Sequence, residues 1–267
     1  MKVARSFLFV SALRVDQVFK ALESSADEVI LDLEDAVSKD DKTQARENLR
    51  DLQPPRNCIV RINNFGSSDF AYDLDSVARY SWLKAIILPK VESSEDVRQT
   101  REGLENRTEV IALVESALGI ENVKEIAQSG VSRLAFGSID YSVQMGTEPN
   151  DLLLAYPRSR LVVASAARSL PPPIDGPTRN FLDLETLKTE TVLARTLGMG
   201  GKFCIHPKQL RIVQQCFAAL PSELSWAKMV LDALAKSPSG VFAVDGQMID
   251  APLIARAKEI VEGRVDD

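Results

Sequence analysis

Short apolar runs recur along the chain, and each is followed by a stretch with apolar residues at helical spacing. The runs cover residues 7–10, 29–33, 58–62, 85–88, 110–114 and 134–136; a weak one surrounds Ile174, and the last covers 203–205. The helical stretches cover 15–24, 41–52, 69–80, 94–104, 120–127, 152–168, 182–197 and 207–219. Parallel strands are flanked by helices, so they read as continuous Val/Ile/Leu runs rather than alternating ones. Eight evenly spaced strand–helix alternations predict an α/β fold of the TIM (β/α)8 barrel type, closed rather than open and doubly wound. The seventh strand is the weakest, because Pro171-Pro172-Pro173 argues for a loop as strongly as Ile174 argues for a strand.

The barrel is expected over residues 1–220, with a boundary near Leu220-Pro221-Ser222. Beyond it, 223–236 has the pattern of an amphipathic helix. A short apolar run at 241–244, a turn at Gly246 and a last helix over 251–262 follow. Residues 221–267 are not needed to close eight strands, and they read as a C-terminal helical extension, either padding or a functional lid. Gly198 and the Gly200-Gly201 pair follow the helix over 182–197, where a left-handed cap and a tight turn are expected. A phosphate-cradling loop is the alternative, but neither GxGxxG nor GxxxxGK(S/T) occurs.

Composition narrows the classes. A chain of 267 residues with 45% hydrophobic and 26% charged residues can bury a full core. The net charge of −6 and the lack of any Lys/Arg run argue against a nucleic-acid partner. Cys58, Cys204 and Cys216 are sparse and odd in number, which fits reduced thiols in a cytoplasmic protein. The N-terminal residues imitate a weak signal peptide, but the apolar run is short and Arg14 ends it, so a buried strand is expected. No apolar stretch approaches the roughly 20 residues that a membrane span needs.

Barrel enzymes carry their chemistry at the C-terminal ends of the strands. Here those ends offer Asp32, Glu34 and Asp35, then Arg61 and Asn63, Lys90, Glu115, Asp140, Asp175 and His206. With a single histidine and no cysteine cluster, a zinc site is hard to build. Mg2+ needs only one or two carboxylates, and Glu115 and Asp140 could supply them, with Asp32, Glu34 and Asp35 around metal-bound water. The bland alternative is a set of solvated loop acids. Arg61 follows an apolar run, so it should meet an anion, either an internal acid or a substrate oxygen.

A series of motifs then points to a family. Arg5-Ser6-Phe7-Leu8-Phe9-Val10 is followed by Leu31-Asp32-Leu33-Glu34-Asp35-Ala36-Val37, with Lys42 and Ala45-Arg46 after it. Next come Val60-Arg61-Ile62-Asn63, Leu88-Pro89-Lys90-Val91-Glu92-Ser93, Val114-Glu115-Ser116-Ala117-Leu118-Gly119 and Phe136-Gly137-Ser138-Ile139-Asp140. Gly201-Lys202, Ile205-His206-Pro207 and Asp245-Gly246-Gln247-Met248-Ile249-Asp250-Ala251-Pro252 close the series. Over nearly its whole length the chain resembles the HpcH/HpaI aldolase and citrate lyase superfamily. Within it, the branch of citrate lyase beta subunits, malyl-CoA lyases and citramalyl-CoA lyases is the nearest in pattern.

The resemblance implies a carbon–carbon lyase. It implies Mg2+ (or Mn2+) on Glu115 and Asp140, chelating a 2-oxo or 2-hydroxy acid, with Arg61 beside the enolate oxygen of a coenzyme A thioester. It implies Asp250 as general acid/base on a lid that reaches a neighbouring subunit of a homotrimer. Phe9, Lys20, Ile205 and His206 would line the coenzyme A site. For Lys20 a solvated helix face, and for His206 a packed strand end, explain the residue equally well. The implied reaction is reversible Claisen-type cleavage of a malyl-CoA, a citramalyl-CoA or a similar ester. The alternatives are the beta subunit of a citrate lyase acting on an acyl carrier, and a barrel kept for binding alone. The chain departs from the family at Ser11-Ala12-Leu13-Arg14, where Pro-Gly is usual, beside the coenzyme A site.

Overall fold

The structure, a computed structural model, describes residues 3–105, 108–236 and 241–265. Among the described residues the chain divides into two compact units, 3–217 and 218–265. In the first unit eight parallel strands close into a barrel in chain order. They are β1 (Ser6–Ser11), β2 (Glu28–Asp32), β3 (Cys58–Arg61), β4 (Leu83–Leu88), β5 (Glu109–Val114), β6 (Arg133–Phe136), β7 (Ile174–Asp175) and β8 (Gly201–Cys204). Pairing of Phe7 with Phe203 between β1 and β8 closes the ring. The TIM barrel expected from the alternation is therefore the fold.

Helices lie between the strands: α1 (Val15–Leu22), α2 (Lys42–Arg50), α3 (Phe70–Val77), α4 (Ser94–Gly103), α5 (Ala117–Glu121) and α6 (Val123–Ile126). After them come α7 (Ser138–Gln144), α8 (Asp151–Ala166), α9 (Leu184–Thr196) and α10 (Leu210–Phe217). Four differences from the sequence pattern have local causes. The stretch at 120–127 is two short helices, because Ser116 caps the first of them early by accepting from the Gly119 N–H. The strand near Ile174 is only two residues long, since the three prolines before it lack ladder donors. The last strand begins at Gly201 and leaves Ile205 beyond its end; a Cβ on Gly201 would sit 2.9 Å from the Arg5 carbonyl oxygen, so glycine is needed for β8 to pack there. Finally, Asp140 lies in the first turn of α7, which follows β6 after only Gly137, rather than directly at a strand end. Gly198 does form the left-handed cap, with φ of 99° and the Met199 N–H donating to the Ala194 carbonyl oxygen.

Two apolar layers hold this unit. Leu8, Leu31, Val60, Ile86, Val114 and Phe136 pack outward under the helices, while Phe7, Ile30, Ile59, Ile87, Leu113 and Phe203 fill the barrel. The second unit contains α11 (Pro221–Lys236), β9 (Phe242–Val244), β10 (Gln247–Ile249) and α12 (Ala251–Val265). The two strands form an antiparallel hairpin, turned by Asp245 and Gly246 at φ of 47° and 78°. Ala227, Val230, Ile249 and Ala257 form the unit's own small core. Among the described residues no helix is long and apolar enough to cross a membrane.

Candidate active site

Successive strand residues point to opposite sides of a sheet. Since Ile30, Ile59, Ile111, Leu113, Ala135 and Phe203 face the barrel interior, the same parity aims Asp32, Glu34, Arg61, Glu115 and Gly137 inward at the C-terminal mouth. All of these but Glu34 border a cavity of about 810 Å3 there. Its lining includes Phe9, Ser11, Lys20, Asp32, Asp35, Arg61, Glu115, Gly137, Asp140, Ile205 and His206. Leu113, Ile139, Pro177 and Phe203 add apolar wall that the motifs do not single out. Asp140 joins through its helix turn rather than through strand parity.

Arg61 is the centre of an ionic cage. Its Nε and Nη2 donate to the two oxygens of Asp32 at 2.7 and 2.6 Å. Its Nη1 lies 3.1 Å from Glu34 and 3.6 Å from Asp35. The guanidinium also sits 4.7 Å from the centre of the Phe9 ring. The internal acids are thus the anionic partner that its burial demands. Burial works against the charge, but Asp32, Glu34 and Asp35 more than offset it and push the Arg61 pKa up. Asp32 is committed to structure as well, accepting from the Glu34 and Ala36 backbone N–H groups. Lys42 holds the loop from below, donating to the carbonyls of Leu33 and Glu34 and to Asn63.

Glu115 is buried, and its carboxyl is pushed up to about 8, first by burial and then by the charges of Glu34 and Asp140. Its Oε1 accepts from the Lys90 backbone N–H at 2.9 Å. Gly137 gives it room, for a Cβ there would lie 2.3 Å from Glu115 Oε2. Behind the turn, a Cβ on Gly176 would lie 2.1 Å from Ser138 Oγ, two residues before Asp140. One oxygen of Glu34, Oε2, is buried and has the ion pair with Arg61 Nη1 in place of a hydrogen bond. Crowded carboxylates of raised pKa are a donor set that fits a hard divalent cation. Among the described residues no group of three or more His, Cys, Asp or Glu side chains converges as a metal site. Two carboxylates, with water and substrate oxygens, still meet the needs of Mg2+.

Of the remaining expected residues, Lys20 and His206 lie along the cavity. Lys20 is exposed on α1, 3.6 Å from Asp16. The His206 ring stacks on Phe181 at 4.6 Å, and its Nδ1 accepts from the Lys208 backbone N–H. Ser11, in the stretch that departs from the family, donates to the Ala36 carbonyl oxygen and so ties that turn to the acidic loop. Asp250 belongs to the second unit and caps α12, accepting from the Leu253 N–H at 3.4 Å. Sequence reading gives no role to Gly137 or Lys90, although the inward parity of position 137, beside Glu115 on the next strand, was available as a signal for the first.

A (β/α)8 barrel with a carboxylate-lined mouth defines the class. The chain belongs to the HpcH/HpaI aldolase/citrate lyase family, whose model matches residues 5–207. A second model, a C–C bond lyase of the TIM-barrel fold, matches residues 159–263. The chain is a carbon–carbon lyase of that family. It is 34% identical over 265 residues to a citrate lyase subunit beta-like protein of Mycobacterium tuberculosis, covering 96% of this chain and 93% of that one. It is 29% identical to the mitochondrial citramalyl-CoA lyase of Mus musculus, covering 96% of this chain and 85% of that one. The structure of CitE from M. tuberculosis in complex with magnesium, acetoacetate and coenzyme A superposes with a TM-score of 0.84. That protein is 33% identical, over 98% of this chain and 99% of the other.

Proposed function

We propose that the protein is a Mg2+-dependent lyase that cleaves a 3-hydroxy-3-carboxyacyl-CoA ester reversibly into an acyl-CoA and a 2-oxo acid. Malyl-CoA and citramalyl-CoA are the substrates of the right type. The observation that carries this reading is the meeting of Glu115 and Asp140 with the Arg61 cage at one end of a large, part-apolar cavity. Glu115 and Asp140 would hold the metal. When bound, Mg2+ supplies a Lewis acid that favours negative charge on a neighbouring oxygen. The hydrogen bonds to Asp32 leave Arg61 with unspent donors, which serve the thioester enolate oxygen as charge gathers there; one such donor is worth about 3 kcal/mol. Asp250 gives its proton to the enolate carbon in cleavage and takes one back in condensation. Phe9, Ile205 and the face of His206 line the passage for the thioester arm. The lid that carries Asp250 serves a neighbouring copy in a homotrimer.

The charges in the cavity favour this reading over cleavage of a citryl thioester. Among the described lining residues the cationic side chains are Arg61, already caged by acids, and Lys20, beside Asp16, with His206 as the one further group that can protonate. A monocarboxylic 2-oxo acid needs no further cation, whereas the dicarboxylic product of a citryl ester does. Incubation of the protein and Mg2+ with malyl-CoA, citramalyl-CoA and citryl-CoA, read by mass spectrometry, tests this. Acetyl-CoA from either of the first two supports it. Release from citryl-CoA alone, or turnover that survives both Glu115→Gln and chelation, overturns it.

A further inference from the structure

We infer that Lys90 is a positioning residue that aims Glu115 through a left-handed backbone and holds Glu34 through its ammonium group. The role rests on the reading of Glu115 as a metal ligand. Lys90 follows β4 and Pro89, and its φ is 54°, a region that non-glycine residues seldom occupy and in which they are strained. The three other described non-glycine residues with positive φ, Glu105, Ser169 and Asp245, end a helix or turn a hairpin. Lys90 does neither. Strain of this kind persists only where the surroundings over-determine it, and here two sets of contacts do. The Lys90 N–H donates to Glu115 Oε1 at 2.9 Å. Its Nζ donates to Glu34 Oε1 and lies 3.5 Å from Asp35.

The two contacts run to different parts of the site. Through the backbone, Lys90 fixes one oxygen of Glu115. Because φ turns the chain after Lys90 relative to its N–H, a negative φ could not keep both the N–H on Glu115 and the path of the following residues, and the carboxylate would be free to turn. Through Glu34, whose other oxygen lies 3.1 Å from Arg61 Nη1, it braces the guanidinium. No hydrogen bond to substrate is required of Lys90, and it does not line the cavity. A residue with these handles governs how well the metal ligand is held rather than the chemistry itself.

The backbone part separates from the ammonium part by comparing variants that all lack the charge. Lys90→Gly and Lys90→Asn sit easily at positive φ, Lys90→Ala less so, and Lys90→Val worst. Mg2+ alone is titrated into each metal-free, full-length protein by calorimetry, and folding is checked by thermal melting. The Gly and Asn variants should bind within about threefold of each other, Ala about threefold more weakly than Gly, and Val at least about tenfold more weakly. If Val does not fold, the Gly–Ala pair decides. Binding to wild type with no ordering among the variants overturns the Lys90 assignment and leaves the function standing. No Mg2+ uptake by wild type removes the metal ligand itself, and this inference with it.

Discussion

The carboxylate of Glu115 occupies the volume that a side chain at Gly137 would fill: a Cβ at 137 would lie 2.4 Å from Cβ of Glu115 and 2.3 Å from its Oε2. Both residues sit at adjacent strand ends, so neither can yield without moving β5 or β6. Gly137→Ala should therefore destabilise the fold by about 1–3 kcal/mol, as overpacking does. It should also weaken Mg2+ binding by at least about tenfold, because the clash is with the carboxylate itself. Thermal melting and calorimetric titration read the two effects. Unchanged Mg2+ affinity would mean that the oxygen crowded by Gly137 has no part in holding metal.

Burial, Glu34 and Asp140 raise the Glu115 carboxyl from 4.5 to about 8 in the metal-free protein. The folded state thus keeps a proton that the unfolded chain gives up near 4.5. The stability this proton carries is fully present below that value and is lost as pH rises through about 8. Mg2+ requires the ionised form, so its binding releases a proton below pH 8 and none well above it. Affinity for Mg2+ should then rise by about tenfold per pH unit from pH 6 to 8 and level off beyond. The rise in melting temperature caused by Mg2+ should follow the same curve. Glu115→Gln should flatten it, and a curve that is already flat in wild type would take Glu115 out of the metal site.

These residues differ in how legible they were in the sequence. The barrel followed from eight apolar runs, since burial on both faces leaves no alternation to misread. Asp32, Arg61 and Glu115 followed from their places at strand ends, and their parity with Ile30, Ile59 and Leu113 fixes which way they point. The Arg61 cage was not legible, because its partners lie 26 to 29 positions earlier in the chain and meet it only through pairing of β2 with β3. Asp140 was placed at a strand end but belongs to a helix turn, since Gly137 lets the helix start at once. Lys90 stood out at a strand end, but its role was hidden for a different reason. Its contribution is a backbone angle, and no residue type other than glycine, or to a degree Asn and Asp, announces a positive φ.

Asp175 anchors the weak strand β7 electrostatically where ladder hydrogen bonds are few. It accepts from Arg158 at 2.8 and 3.1 Å and from Lys202 at 2.7 Å, with all three side chains buried. Burial alone would raise its carboxyl, yet Lys202 and then Arg158 outweigh it and hold the pKa below the ordinary value. Asp175→Asn leaves two buried cations without their counter-ion and should cost about 3–5 kcal/mol. A urea unfolding curve measures this. The low pKa means that the stability from Asp175 is present above the ordinary value of 3.8 and fades only in stronger acid. A loss below about 1 kcal/mol would show that water or Glu190, 3.8 Å from Lys202, replaces the carboxylate.

Asp250 offers the sharpest test of the proposed lid, provided that the substitution spares its helix. Its side chain caps α12, so Asp250→Ala would remove a cap worth about 1 kcal/mol along with the acid. Asp250→Asn keeps the cap and removes only the proton donor. That variant should fold and take up Mg2+ like wild type while losing turnover, whereas Glu115→Gln should lose both Mg2+ uptake and turnover. If the lid of one chain serves the barrel of the next, co-refolded equal mixtures of the two dead proteins regain function. A site is then intact when an Asp250→Asn barrel meets a Glu115→Gln lid, which random assembly in a closed ring produces in about one quarter of sites. Activity near that fraction supports a shared site. Mixtures as dead as their parents, despite proven subunit exchange, would return the acid to its own chain or deny it the role.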